Sequence, residues 1–136
     1  MTNIFNNIMC LATYNGEECL RNLTEWTNYH HPDSTCLDNV YFGLKSGTLL
    51  SYAINCTWFP IEGERDYVLD IMKLLLSRGA YLHNDAIILM SYDCGKMPKN
   101  ILMPRVCLVL KYCSSQYNVR VMEAINKLRE FVNFAN

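Results

Sequence analysis

Apolar residues recur every three or four positions through most of this chain, and glycine, proline and polar clusters cut that rhythm into short helical segments. Ile4, Ile8, Leu11 and Ala12 share one face of a predicted helix over Ile4–Asn15, which Gly16 interrupts. A second helix from Glu17 to about Tyr29 aligns Cys19, Leu20, Leu23 and Trp26, with Glu17 and Glu18 at the positive end of its dipole. The polar stretch His30–Asn39 follows; Pro32 ends the helix, and Asp33-Ser34-Thr35 has turn chemistry. Val40–Leu44 is short and aromatic, and an extended or turn segment is expected there.

Thr48 is positioned to cap a helix whose buried face is Leu49, Leu50, Ala53 and Ile54. Asn55–Glu64, containing Pro60 and Gly63, is an enlarged connection. The strongest helix follows: Val68, Ile71, Met72, Leu75 and Leu76 repeat with the helical period. Asp66 and Asp70 lie near its amino end, Lys73 and Arg78 near its carboxyl end, and Gly79 offers a left-handed stop. Asp85 is expected to cap a segment over Ala86–Tyr92, which Asp93–Pro98 breaks. Pro104 fits the first turn of the next helix, running to about Cys113 with Val106, Leu108, Val109 and Leu110 inward. Asn118 caps a terminal helix with Val121, Ile125, Leu128 and Val132 inward and a Glu123–Lys127 pair on its wet side. Short helices in pairs with little strand signal define an all-α fold.

Composition narrows the function. The 136 residues fit a single domain over 1–136, 51% hydrophobic and 18% charged. A net charge of −1 gives no electrostatic footprint for nucleic acid or an acidic membrane. No apolar run reaches the roughly 18 residues of a membrane span, and residues 1–7 lack signal-peptide character, so a cytoplasmic protein is expected. Seven cysteines, an odd number without short-spaced pairs, favour reduced thiols over a disulfide scaffold. Cys10, Cys19, Cys56, Cys107 and Cys113 fall in apolar patterns, where a thiol acts as a small hydrophobe. The glycosylation sequons at Asn22 and Asn55 lie in or beside helices and are attributed to chance.

The chain carries no phosphate-binding glycine loop and no nucleophile-elbow motif. His30, His31 and Cys36 lack the spacing of a metal site, and nothing pairs a thiol with His83. Neither catalysis, metal nor cofactor is expected.

Three stretches resemble parts of the ankyrin repeat, a unit of about 33 residues with two antiparallel helices and a turn finger. Lys45–Ala53 resembles its start: Thr48, Leu50 and Ala53 match, while Leu49 and Ser51 replace proline and histidine. Lys73–Ala80 followed by Asn84 resembles its leucine run, glycine-alanine pair and terminal asparagine. Leu11–Gly16 resembles the end of a first helix in a preceding unit. About ten extra residues separate the central helices relative to the family spacing, and the segments after Asp85 keep pairing but little consensus. Such loosened repeats resemble ankyrin proteins of large DNA viruses, poxviruses especially.

The resemblance implies an α-solenoid of about three degenerate helix pairs plus a C-terminal capping helix. It further implies a protein-binding adaptor or inhibitor acting on a host signalling protein in the host cytoplasm or nucleus, as the inhibitors of nuclear factor κB act on theirs. By position, the binding fingers are Tyr41, Phe42 and Lys45, then Tyr81 and His83. Trp58 and Phe59 in the enlarged connection either bind or fold back over the stack. The alternative is a compact self-associating bundle of the viral Bcl-2-like kind, with Val68, Ile71 and Leu75 in a central helix.

Overall fold

The computed structural model describes residues 15–34, 47–56, 60–114 and 117–135, and every regular element among them is helical. The expected helix over Ile4–Asn15 (all but its last residue), the Val40–Leu44 segment, and Cys10 and Cys36 lie outside the described residues.

Helix α1 spans Gly16–Trp26. Asn15 is its N-cap, accepting from the Glu18 amide at 3.1 Å and donating to the Glu18 carboxylate at 2.9 Å. Gly16 is the first residue of this helix. Its lack of a side chain serves packing, since a Cβ there would sit 2.6 Å from the Tyr67 ring. Cys19 and Leu23 are buried and Leu20 and Trp26 partly so, as the stripe predicts. A 3-10 turn, Pro32–Ser34, follows.

Helix α2, Leu49–Ile54, is capped by Thr48, whose hydroxyl accepts from the Ser51 amide and donates to the Ser51 hydroxyl. All six residues are buried, Ser51 and Tyr52 included, so the expected single inward face is exceeded. Six residues are too few to hold a helix alone; packing on α3 and α4 sustains it. Asn55, 4% exposed, closes α2 by donating to the Ser51 carbonyl, a burial incompatible with glycosylation.

Helix α3, Tyr67–Ser77, buries Val68, Ile71, Met72, Leu75 and Leu76, each contributing roughly 1.5–3 kcal/mol. Asp66 caps it, and its end is a Schellman motif: Ala80 N–H donates to Leu75 C=O and Gly79 N–H to Leu76 C=O. Gly79, at φ 90°, occupies the left-handed position that this motif needs.

Helix α4 spans Asn84–Asp93, with His83 in the N-cap position; Asp85 lies inside the first turn and does not cap it. There its charge still favours the positive end of the helix. Helix α5, Lys99–Tyr112, starts earlier than expected, so Pro104 lies in its interior and not in its first turn. Pro98, with φ fixed near the helical value, takes the entry position instead. Leu102, Arg105, Val106 and Val109 are buried there, while Cys107 is exposed rather than packed. Helix α6, Val119–Ala135, is capped by Asn118 and buries Val121, Ala124, Ile125 and Leu128. Lys127 lies 5.5 Å over the Tyr92 ring, a cation–π contact in place of the expected pair with Glu123.

Helices α1, α3 and α5 pack side by side, as do α2, α4 and α6; α2 on α3 and α6 on α5 join the two rows. One group ties the rows together. The Arg105 guanidinium, 1% exposed, forms a two-pronged pair with Asp66 at 2.8 and 2.7 Å and donates to the Cys56 carbonyl at 3.0 Å. Because Asp66 also caps α3, one cation fixes the ends of α2 and α3 to the middle of α5.

Arg105→Met is expected to lower the unfolding free energy by about 3 kcal/mol, because it strands the Asp66 charge. Adding Asp66→Asn, which keeps a capping oxygen without charge, restores part of that loss in urea denaturation. A double variant no more stable than the single one rules the charge out as the cause. Gly16→Val is expected to cost about 1–3 kcal/mol by forcing α1 off Tyr67, read in the same denaturation series.

Candidate functional site

The connections leaving α1 and α3 run alongside each other. Arg78 donates to the Asn28 side chain at 2.8 Å, and the Tyr81 amide donates to the Asp33 carboxylate at 2.9 Å. His31 stands beside Gly79, its Nε2 3.5 Å from where a Cβ would lie. Leu82, buried, roots the same loop in the core. Tyr81 is thus held by a Schellman turn, a carboxylate and a buried leucine while the residue stays 60% exposed.

The next connection, from α5 to α6, forms the opposite wall of a groove of about 500 Å³. Leu76, Gly79, Ala80, Tyr81, Leu82 and Asn84 line one side; Tyr112, Ser114, Tyr117 and Asn118 line the other. Tyr112 is the last residue of α5 and 43% exposed. Tyr117 is partly buried, and its hydroxyl accepts from the Ser114 amide at 3.1 Å, bracing that wall. Asn118 caps α6 from within the groove lining. Among the described residues the lining contains no charged side chain, so the chemistry they offer is aromatic surface with amide and hydroxyl hydrogen bonding.

Of the residues proposed from sequence, Tyr81 lines this groove. His83 does not: it packs edge-on against Tyr81, with ring centroids 4.8 Å apart, as part of its support. Tyr41, Phe42, Lys45, Trp58 and Phe59 lie outside the described residues. Sequence reasoning missed Tyr112 and Tyr117, because the first falls within a predicted helix and the second between helices. A usable signal was present nonetheless: Tyr29, Tyr81 and Tyr112 each stand at or just past the carboxyl end of α1, α3 and α5.

Among the described residues no three histidine, cysteine or acidic side chains gather as a metal site, and no helix is long and apolar enough to cross a membrane. Trp26 and His30 stack at 4.9 Å, with the His30 ring also at the Trp26 carbonyl. The described thiols differ in environment. Burial pushes Cys94 up, with Lys127 opposing, and burial pushes Cys113 up, with Arg129 opposing. Neither family models, nor curated proteins, nor solved structures provide a match for this chain.

Among the described thiols, iodoacetamide labelling followed by peptide mass mapping is expected to modify exposed Cys107 before Cys94 and Cys113, and buried Cys19 only on unfolding. The rates at Cys94 and Cys113 keep climbing as pH passes the usual thiol range, because their thiolates form late. The folded state holds those two protons more tightly than the unfolded chain, so their contribution to stability is complete below the ordinary thiol range. It falls as pH rises through the raised values. Labelling of Cys19 at the rate of Cys107 in the folded protein contradicts the assignment.

Proposed function

We propose that the chain is a protein-binding module of ankyrin-like design that works by occupying its partner, as an adaptor or inhibitor does. The observation that carries this reading is the uncharged groove between Tyr81 and Tyr112, built on loops braced from below. Exposed tyrosines fixed by rigid elements make good contact anchors, because they offer large amphipathic surface at small entropic cost.

The order of helix neighbours favours a stack over a bundle with one helix at its centre. Each odd-numbered helix packs on the next odd one and each even helix on the next even one, as in a repeat array. In that frame α2 and α3 form the central pair, and α6 is the cap, showing solvent Arg120, Glu123, Asn126, Glu130 and Asn133. The third pair departs from the consensus unit, since α4 and α5 meet chiefly through α6. The ankyrin resemblance makes a host signalling protein the expected partner class, which is an argument from analogy with the family.

The test is affinity capture from cell lysate with the wild-type chain beside a Tyr81→Ala/Tyr112→Ala variant whose melting temperature matches it. Proteins held by the wild type should drop about tenfold or more in the variant, the loss expected of two anchor residues. Equal capture by the two chains removes the groove from consideration as the binding face.

A further inference from the structure

The turn after α1 uses a histidine as a hydrogen-bond acceptor. The Asp33 amide donates to His31 Nδ1 at 3.0 Å. An imidazole nitrogen that accepts carries no proton, so this ring is neutral, with its proton on Nε2. The backbone around it is fixed by other means. The Ser34 amide and hydroxyl both donate to the His31 carbonyl, at 2.9 and 2.7 Å, and Pro32 is buried. The imidazole is therefore the part of the turn whose bonding changes with charge.

The same turn holds the loop after α3. Asp33 Oδ2, which accepts from the Tyr81 amide at 2.9 Å, lies 3.9 Å from His31 Nδ1. The other carboxylate oxygen, Oδ1, is buried and has no donor among the described residues. On its far side the His31 ring meets the Gly79 turn, with Nε2 3.5 Å from where a Cβ would lie. One imidazole thus stands between the two connections, beside the oxygen that joins them.

We propose that His31 is a proton-operated catch between the connections leaving α1 and α3: on gaining a proton it gives up the Asp33 amide and draws the Asp33 carboxylate off the Tyr81 amide. The proton comes from solvent, which reaches a side chain 56% exposed. A proton on Nδ1 would meet the Asp33 N–H donor against donor, so that bond breaks. The nearby anion is Asp33, and its closer oxygen is the one that Tyr81 uses. An imidazolium offers that oxygen a full charge as well as a donor, whereas the Tyr81 amide is neutral, so the ring takes it. The inference concerns the clasp alone and holds whether or not the groove binds a protein.

The elements that meet at the clasp carry other charged or titratable groups. These are Glu25, Tyr29 and His30 at the end of α1, Tyr52 on α2, and Arg78, Tyr81 and His83 after α3. Arg78 is committed to Asn28, Tyr52 is buried, and His30 stacks on Trp26 with Nδ1 3.2 Å from the Trp26 carbonyl. His83 packs edge-on against Tyr81 and is the group whose own protonation must be separated from that of His31.

The test is NMR of the nitrogen-15-labelled full chain between about pH 8 and about pH 5, the span in which histidines change charge. The protection factor of the Tyr81 amide against hydrogen exchange, which already corrects for the intrinsic effect of pH, is expected to fall about fivefold in acid, the worth of one hydrogen bond. That fall should track the His31 ring nitrogens. His31→Asn keeps an acceptor for the Asp33 amide, as an Asx turn, and takes up no proton, so its Tyr81 protection should stay level. His83→Asn should keep the wild-type profile. Level protection in the wild type, an equal fall in His31→Asn, or loss of the fall in His83→Asn overturns the proposal.

Discussion

One buried cation holds this arrangement together. A guanidinium that is 1% exposed carries a desolvation cost of several kcal/mol, recovered only through near-complete hydrogen bonding. Arg105 achieves this with both Asp66 oxygens and the Cys56 carbonyl. Those partners are the two ends of the connection between α2 and α3. The same contact therefore clamps the enlarged connection at its base and attaches it to α5, the next helix of the row. Arginine suits this position better than lysine, because its planar fork matches the carboxylate and has donors left for the carbonyl.

Other choices in the chain follow from that clamp. Asp66 serves both as the cap of α3 and as the counter-ion of Arg105, so the start of α3 is fixed by a tertiary contact as well as a local one. Pro104 next to Arg105 removes an amide donor inside α5, yet the helix continues through it. Its ring is exposed, so the carbonyl it leaves without a partner one turn earlier lies toward the solvated side of α5. Tertiary anchoring one residue later offsets that local loss. The short α2 depends on the same logic: six buried residues packed between α3 and α4 hold a shape that their own hydrogen bonds would not.

The helices that could be read from sequence were those with one wet face and one dry face. The α3 stripe of Val68, Ile71, Met72 and Leu75 and its Gly79 stop, the Thr48 cap and the Asn118 cap all rest on local spacing, and the local rules placed them correctly. α4 and α5 were blurred because they have partly buried residues on several sides, which weakens the period that marks a boundary. Pro104 was misplaced for this reason. The packing role of Gly16 has no local signature, because Tyr67 is fifty-one positions away in the chain. The Asp66–Arg105 pair spans 39 residues and leaves no local signature. The groove was half legible: a family likeness pointed to Tyr81, but Tyr112 needed the knowledge that α3 and α5 are neighbours.

The clamp and the groove belong to one mechanical unit. Arg105 lies seven residues before Tyr112 on α5, two turns and roughly 10 Å along the axis. Anchoring Arg105 to the base of α3 sets how far α5 can slide or rotate against α3, and so where Tyr112 stands relative to Tyr81. On the other wall, Asp33, Leu82 and the Gly79 turn fix Tyr81 without using its ring. Both tyrosines thus stay exposed in the groove while their backbones are committed elsewhere. Under the proposed binding role, a surface prepared in this way loses little conformational entropy when occupied, an advantage that a flexible peptide of the same composition lacks. The stability spent on burying a charge deep in the row is, on this view, inseparable from the precision of the groove two turns away.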